Sequence, residues 1–393
     1  MSGLLAKLLE QRGVLLADGA TGSNLFDRGL QTGDSPELWN DIHPDRIAKN
    51  YQSFIDAGSD IILTNTFGGS RHRLKRHDAV ERVSELNVKG AQIARQQAEK
   101  ADREIVIGGS IGPTGEILQP LGNLSVAAAA DAFAEQAHAL KQGGVDIFWI
   151  ETMSSREEVE AAVIGASRAG LPMVVTFSVD TNGRTMMGLS PADIVKICLE
   201  MEKMPFAIGA NCGVGASELV AAIVNMRHAL IQQDIMQEKV ETIIISKANC
   251  GIPEYIDGKI VYSGSKQVMA EYSRLAVDAG ARIIGGCCGT TPDHIKAMRK
   301  ALDHHQKQSP PDLEIIENKL GKVSSGAKAQ LRGELSIAAG SLSDRGERKT
   351  TRLRRRLHGY KRDNPKDGGG RTGSGTEVES DAPSQSRNRE MNF

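Results

Sequence analysis

Two adjacent cysteines lie in a glycine-rich loop directly after an apolar run, in the order Gly285-Gly286-Cys287-Cys288-Gly289. Glycine lacks a Cβ, so the backbone can bend tightly on both sides of the pair. An unstrained disulfide needs a Cα spacing and torsion that neighbouring cysteines are poorly placed to reach. Two thiols on one tight loop are better suited to hold a single metal ion from two directions.

Other apolar runs also end on polar side chains that can do chemistry. Asp18 follows the first run, Glu151 the fourth, and Asn211-Cys212 the sixth. If the runs are strands of one barrel, their carboxyl ends converge on a single face. The sixth and eighth strands are two apart around such a ring. We therefore expect Cys212 to reach the same point as Cys287 and Cys288.

Three thiolates around one ion predict Zn²⁺, because sulfur ligands suit zinc and three protein ligands leave a fourth position open. Such a site carries net negative charge, which is a poor way to acidify water. It can instead hold an incoming thiol as an electron-rich thiolate. A free thiol, with a pKa of about 8.5, is mostly protonated at neutral pH, so this activation matters. The predicted reaction is alkyl transfer to a thiol.

The polar residues at the strand ends fit an amino-acid substrate. Asp18 and Glu151 can pair with a substrate ammonium, and Asn211 or nearby backbone amides can hold its carboxylate. Taken alone, each carboxylate also fits a helix cap or a solvated surface group. Together with three cysteines on one face, they favour a pocket for a small amino-acid thiol.

Eight apolar runs alternate with helical patterns along the chain. The runs are continuously apolar, which is typical of parallel strands buried on both faces. They occupy residues 13–17, 60–67, 105–110, 145–150, 173–178, 206–210, 242–247 and 281–284. Between them, apolar residues recur at i, i+3 and i+4 over residues 47–57, 79–98, 127–142, 156–169, 191–201, 216–233, 265–279 and 291–302.

Eight strand–helix units predict the α/β class and a (β/α)₈ TIM barrel. A doubly wound open sheet is the alternative, since it shows the same local pattern. The turn after the first run, Asp18-Gly19-Ala20-Thr21-Gly22, lacks the glycine spacing of a dinucleotide-binding loop, which disfavours the open sheet.

The regular pattern stops after residue 320, so the chain is predicted to divide into a barrel over residues 1–320 and a disordered basic tail over residues 321–393. The tail carries 16 Lys and Arg against 9 Asp and Glu and has hardly any apolar periodicity. Such a segment cannot bury enough surface to offset the entropy of ordering. The basic cluster at residues 352–356 could contact nucleic acid, but a solubilising role is the simpler interpretation, and no nucleic-acid partner is expected.

Cysteine content and hydropathy bear on the compartment. Five cysteines, an odd number in a long chain, argue against a disulfide scaffold and for the reducing cytoplasm. No apolar run reaches the length needed to cross a bilayer. The first ten residues lack a basic region and a cleavage signal, so a first helix is expected there and no signal peptide.

At these residues the chain resembles the homocysteine S-methyltransferase family. That family includes the homocysteine-binding module of cobalamin-dependent methionine synthase, betaine–homocysteine methyltransferase and the enzymes that use S-methylmethionine. The matching motifs, one per strand end and in order, are Asp18-Gly19-Ala20-Thr21-Gly22, Thr64-Asn65-Thr66-Phe67, Gly112-Pro113-Thr114-Gly115, Ile150-Glu151-Thr152, Gly209-Ala210-Asn211-Cys212 and Gly285-Gly286-Cys287-Cys288-Gly289.

The resemblance implies a TIM barrel with zinc held by Cys212, Cys287 and Cys288. It further implies that homocysteine binds zinc through its sulfur, with Asp18 and Glu151 near its amino group, and that methionine is the product. Residues 1–320 would then be a homocysteine-binding barrel.

The methyl donor is left open by the resemblance. The sequence shows no corrinoid- or folate-binding pattern after the barrel, so the expected donor is a methyl-corrinoid protein in trans or a small onium compound such as glycine betaine or S-methylmethionine. Betaine-type enzymes carry an aromatic residue just after the strand-2 Thr-Phe, where it contacts a quaternary ammonium. Gly68 occupies that position, which disfavours betaine as the donor. Trp39 could supply such a face or simply pack in its loop.

Two interpretations without methyl transfer remain open from the residues alone. A redox or zinc-storage protein would use the cysteine pair but would have no need of Asp18, Glu151 or Asn211. A phosphate-binding barrel would need free backbone amides in the loop that the paired cysteines occupy. Of the other cysteines, Cys198 is predicted to be core. Cys250 could be a spare thiol near the metal, but the favoured interpretation is a bystander.

Overall fold

In the computed structural model, which describes residues 3–237, 242–251, 253–256 and 259–333, eight parallel strands form one curled sheet. The barrel strands are β1 (Leu15–Leu16), β2 (Ile61–Leu63), β3 (Val106–Ile111), β4 (Ile147–Met153), β5 (Met173–Ser178), β6 (Ala207–Cys212), β7 (Ile243–Ala248) and β10 (Ala281–Gly286). Between β7 and β10 in the chain, β8 (Pro253–Ile256) and β9 (Lys259–Tyr262) form a separate antiparallel hairpin. The order around the sheet is β1-β10-β7-β6-β5-β4-β3-β2. A bridge between Ala17 and Ile61 joins its first and last strands, so the sheet is a nearly closed barrel.

Helices connect the strands and surround the barrel. They are α1 (Leu4–Arg12), α2 (Gly22–Phe26), α3 (Trp39–Ile42), α4 (Pro44–Asp56), α5 (Arg71–Leu74), α6 (Val83–Ala98), α7 (Val126–Gly143), α8 (Arg156–Ser167), α9 (Pro191–Glu200), α10 (Ala216–Gln237), α11 (Lys266–Ala279), α12 (Pro292–Asp303), α13 (Leu313–Leu320) and α14 (Ser325–Leu331), with 3₁₀ turns at Pro36–Leu38, Lys75–His77, Val80–Arg82 and Thr181–Gly183. The predicted (β/α)₈ TIM barrel is therefore confirmed.

Local sequence explains where the main helices begin and end. Ser190 caps α9 through the Asp193 amide, the Asp193 carboxylate accepts hydrogen bonds from Ser190 in return, and Pro191 occupies the first turn. Thr291 and Pro292 start α12 in the same way. At the other end, Gly280 closes α11 in the left-handed conformation that glycine adopts without strain.

The core has two layers separated by the sheet. One layer fills the barrel interior with alternate strand residues, among them Leu15, Leu63, Trp149 and Ile283, and α1 adds leucines to it. The other layer lies between the outer strand faces and the surrounding helices. Because the strands are buried on both faces, their sequences are continuously apolar, as parallel strands require.

The structure adds elements after the seventh barrel strand and after the last barrel helix. The β8–β9 hairpin follows β7, and α13 and α14 follow α12. Ordered structure thus continues past residue 320 to residue 333, and the rest of the predicted tail, residues 334–393, lies outside the described residues. Within the described ranges, no helix combines the length and apolarity needed to cross a bilayer.

Candidate active site

Three cysteines meet at the carboxyl end of the barrel. Cys212 is the last residue of β6, and Cys287 and Cys288 directly follow β10. Their Sγ atoms all lie within 4.8 Å of one another, and the Cys212 and Cys288 sulfurs are 3.9 Å apart. All five cysteines of the chain are free thiols. The structure therefore brings together the three cysteines that the sequence analysis singled out.

A single asparagine that the sequence analysis did not assign fixes both cysteine loops. The Asn249 side chain accepts a hydrogen bond from the Cys288 amide at 3.0 Å and donates one to the Gly213 carbonyl at 2.7 Å. The Cys287 amide in turn donates to the Ala248 carbonyl at 2.7 Å. The end of β7, between the two cysteine-bearing strands, thus holds the loop after β6 and the loop after β10 in register.

The backbone next to the cysteines is strained. Cys212 has φ 61° and Thr152 has φ 65°, in the left-handed region that non-glycine residues seldom occupy. Asn211, which directly precedes Cys212, holds Thr152, because its side chain accepts a hydrogen bond from the Thr152 amide at 2.9 Å and donates one to the Thr152 hydroxyl at 2.8 Å. Such strain clusters at functional sites, where surrounding contacts hold it.

Asn211 is fully buried and its side-chain amide is engaged by protein groups. Besides the two bonds to Thr152, Oδ1 accepts from the Thr176 hydroxyl at 2.7 Å, and Nδ2 lies 3.7 Å from the Cys287 sulfur. These contacts give Asn211 a positioning role toward Cys287. Contact with a substrate carboxylate, which was predicted for Asn211, remains a prediction.

The first predicted carboxylate is half of a buried ion pair. Asp18 Oδ1 lies 2.7 Å from the Nζ atom of Lys247, and Asp18 Oδ2 accepts a hydrogen bond from the Leu63 amide at 2.8 Å. The Lys247 ammonium also lies 5.5 Å from the centre of the Trp149 ring. Lys247 is the last residue but one of β7 and is buried inside the barrel, and the sequence analysis assigned it no role. Lysine is almost never fully buried unless it is paired.

The second predicted carboxylate, Glu151, is also buried and retains one oxygen that accepts no hydrogen bond within the described part of the chain. Its Oε1 atom accepts a 2.5 Å hydrogen bond from the Ser110 hydroxyl, while Oε2 accepts none from the described residues. The backbone of Ser110 is held by two threonines, since its amide donates to Thr64 Oγ1 and its carbonyl accepts from Thr66 Oγ1. The Thr64–Thr66 motif therefore serves to place Glu151.

Two carboxylates share one ammonium in this pocket. Burial raises the pKa of Asp18 and of Glu151, and the Lys247 charge opposes that rise in both. Burial by itself lowers the pKa of Lys247, but the two carboxylates outweigh it and raise that pKa. Lysine therefore stays charged, and the three groups together lack one positive charge when both carboxylates are ionised. A substrate ammonium would supply it.

The three thiols hold their protons when no cation is present. For Cys212, a hydrogen bond from Cys287 lowers the pKa, but Cys288 and burial outweigh it and raise the value to about 12. For Cys288, contact with Cys212 lowers the pKa, while Cys287 and burial raise it to about 12. A cation that binds here must displace those protons, so binding will depend on pH.

One sulfur–sulfur distance among the three cysteines matches tetrahedral zinc. Zn–S bonds of about 2.3 Å in a tetrahedron place sulfur atoms about 3.8 Å apart, and the Cys212–Cys288 separation is 3.9 Å. The other two cysteines are not among the three whose sulfur atoms converge, although the Cys250 amide donates a hydrogen bond to the Cys288 carbonyl at 2.9 Å. Cys198 is buried in the helix layer, as predicted, and Cys250 is buried with its sulfur against the Gly264 carbonyl at 3.1 Å and His294 Nε2 at 3.3 Å.

Two positions bear on the donor. Trp39 is buried, with the Arg46 guanidinium 5.0 Å from its ring centre and His43 against its edge, so packing accounts for this residue. A Cβ on Gly68 would meet the Glu37 carboxylate at 2.9 Å, and that carboxylate accepts a hydrogen bond from the Gly68 amide. An aromatic side chain there would have to displace the Glu37 carboxylate.

The fold and this centre define a (β/α)₈-barrel protein with three convergent thiols beside a buried pocket of two carboxylates and one lysine. The model of the homocysteine S-methyltransferase family matches residues 15–302, and the chain belongs to that family of enzymes. The resemblance noted from the strand-end motifs is thereby confirmed.

Curated relatives agree with this placement, and solved structures share the fold. The chain is 30% identical over 316 residues to methionine synthases of Mycobacterium leprae and Mycobacterium tuberculosis, a match over 76% of this chain and 25% of each relative. The chain thus spans about a quarter of the length of these proteins. The crystal structure of the homocysteine methyltransferase MmuM from Escherichia coli shares the fold in its oxidized form (TM-score 0.62, 23% identity, 75% of this chain and 98% of that chain) and in its metallated form (TM-score 0.62, 22% identity, 75% and 99%).

Proposed function

We propose that the chain holds one Zn²⁺ on Cys212, Cys287 and Cys288 and transfers a methyl group to the thiol of homocysteine, giving methionine. The observation that carries this is the meeting of three sulfur atoms within 4.8 Å on the barrel face that also bears Asp18 and Glu151. Bound zinc would supply a Lewis acid that lowers the pKa of the homocysteine thiol. The family membership and the tetrahedral sulfur spacing support it.

The protein's own groups orient the amino acid. The Glu151 oxygen that has no protein donor accepts the homocysteine ammonium, which supplies the positive charge that the Asp18–Lys247–Glu151 cluster lacks. Ser110 holds Glu151, and Asn211 and Asn249 hold the cysteine loops. In the reaction a sulfur–methyl bond forms, the bond from methyl to donor breaks with its electron pair left on the donor, and the thiol proton departs to solvent.

For the donor, we favour a methyl-corrinoid presented by another domain or protein. The curated methionine synthases are longer than this chain, and the space beside Gly68 is filled by Glu37, which disfavours an aromatic cage for betaine. S-methylmethionine is the second candidate, since a sulfonium with a small amino-acid body needs no such cage. We propose that the protein acts in the reducing cytoplasm, where its five thiols stay reduced.

A donor panel tests the proposal. Zinc-loaded protein and homocysteine are mixed with glycine betaine, S-methylmethionine, S-adenosylmethionine or methylcobalamin, and methionine is measured. We expect methionine from methylcobalamin or S-methylmethionine, loss of product in Cys288→Ala, and retention in Cys198→Ala, which alters a thiol in the helix layer. Zinc and homocysteine binding with no methionine from any donor would instead favour a zinc-dependent thiol-binding protein without methyl transfer.

A further inference from the structure

Two arginines in the segment after β2 converge on one glycine in the loop after β3. The ideal Cβ position of Gly115 lies 3.1 Å from Nη1 of Arg73 and 3.1 Å from Nη2 of Arg76. Gly115 has φ +78°, and the absence of a side chain there lets the two guanidinium groups come close to its backbone and to each other. Both loops leave the carboxyl ends of their strands, on the same barrel face as the cysteines.

Arg73 is held in place without using its hydrogen-bond donors. Its guanidinium lies 5.8 Å from the centre of the Phe67 ring, a cation–π contact that fixes the group. Among the described residues, it has no hydrogen-bond acceptor and no carboxylate within ion-pair distance. Guanidinium carries five N–H donors in a planar fork that matches carboxylate and phosphate, so a half-buried arginine with none of them engaged by protein is suited to receive an oxyanion.

The nearest carboxylates are already engaged by neutral donors. Glu37 accepts hydrogen bonds from the Gly68 amide at 2.7 Å and the Ser35 hydroxyl at 2.6 Å. Glu158 accepts from the amide and the hydroxyl of Thr114 at 2.8 and 2.6 Å. Their charges moderate the local field, yet neither forms an ion pair with Arg73. Burial, followed by the like charge of Arg76, lowers the pKa of Arg73. An anion bound between Arg73 and Arg76 would raise that pKa again.

We propose that Arg73 and Arg76 form an oxyanion subsite that holds a carboxylate or phosphate group of the methyl donor while its methyl group faces the cysteine centre. The assignment of the anion to the donor rests on the proposed function; the subsite itself rests on the arginine geometry. Homocysteine is held elsewhere, at the Asp18–Glu151 pocket, so the subsite affects the donor and leaves homocysteine binding unchanged.

The experiment has a binding arm and a kinetic arm. Inorganic phosphate is titrated calorimetrically into zinc-loaded wild type, Arg73→Gln, Arg76→Gln and Lys75→Gln. Lys75 is an exposed cation in the same segment, so Lys75→Gln removes one positive charge without changing either arginine beside Gly115. The Arg76 side chain is exposed, with its one hydrogen bond among the described residues going to the Gly115 carbonyl, so Arg76→Gln should fold even if Arg73→Gln does not.

We expect phosphate to bind wild type and Lys75→Gln equally and both arginine variants at least about tenfold more weakly, the loss of roughly one charged hydrogen bond. In the kinetic arm, the KM for the active donor should rise by a similar factor while the KM for homocysteine stays constant. Equal phosphate affinity in all four proteins, or none in wild type, overturns the subsite. Arginine-dependent phosphate binding in a protein that makes no methionine from any donor retains the subsite and refutes the proposed function instead.

Discussion

The Nζ atom of Lys247 lies 2.7 Å from Oδ1 of Asp18, and each side chain is only 2% exposed. This pair ties the end of β7 to the end of β1 beneath the cysteine centre. It leaves the neighbouring carboxylate, Glu151, without a cation of its own. A substrate that brings one positive charge would complete this cluster, and the proposed substrate, homocysteine, would bring it as an ammonium.

Replacing Glu151 by glutamine should weaken homocysteine binding. The change keeps the shape and the partner Ser110 but removes the charge that meets the ammonium. A charged hydrogen bond contributes about 1.5–3 kcal/mol, so the Kd measured by calorimetry should rise about 10- to 100-fold. Zinc content should be unchanged, and Asp131→Asn, an exposed carboxylate on α7, should bind normally. Equal affinity in Glu151→Gln and wild type would remove Glu151 from the ammonium site.

Homocysteine affinity should depend on the protonation of Glu151. Burial raises the pKa of this carboxyl, and only the ionised form attracts an ammonium, so affinity is full above the raised pKa and falls as pH drops through it. The Ser110 hydrogen bond lowers that pKa. Ser110→Ala should therefore raise it further and move the acid midpoint of the binding curve upward. The Kd measured as a function of pH in both proteins checks this, and coincident midpoints would contradict it.

The asparagines that hold the cysteine loops should affect metal affinity more than catalytic chemistry. Asn249→Ala releases the loops after β6 and β10, and Asn211→Ala removes the amide near the Cys287 sulfur. Loss of groups that orient metal ligands typically costs 10- to 100-fold in metal affinity. Competition with a chromogenic zinc chelator measures it. Asn123→Ala, on an exposed loop, is the control. A zinc affinity of Asn249→Ala equal to that of the control would show that the cysteine loops keep their positions without Asn249.

At the opposite end of the barrel, Asp60 should be important for stability alone. It is 1% exposed and accepts a hydrogen bond from the Leu16 amide at 2.9 Å, with Arg12 and Arg299 as ion-pair partners. Asp60→Asn leaves those cations without their buried partner and should lower the free energy of unfolding by about 3 kcal/mol. The exposed pair of Asp45 and Lys49 is the comparison, since Asp45→Asn should change it by less than about 1 kcal/mol. Urea unfolding compares the two.

Periodicity and strand-end residues are enough to predict the barrel and its three cysteines. Continuous apolar runs indicate strands that are buried on both faces of the sheet. The polar residues at their carboxyl ends lie close together because all the strands of the barrel end on the same face. Lys247 could not be assigned in this way, because its role depends on which carboxylate lies across the barrel. Asn249 was visible as a strand-end residue, but only the packed loops reveal that it bonds to both. The β8–β9 hairpin after β7 had no counterpart in the strand–helix alternation.

Zinc K-edge X-ray absorption on the metal-loaded protein, before and after addition of homocysteine, tests the central claim most directly. We predict three sulfur ligands at about 2.3 Å and one lighter atom without homocysteine, and four sulfur ligands with it. Cys288→Ala should lose one sulfur in both spectra, and Cys198→Ala should match wild type. An unchanged sulfur count on addition of homocysteine, or zinc bound without the three cysteines, would contradict the account.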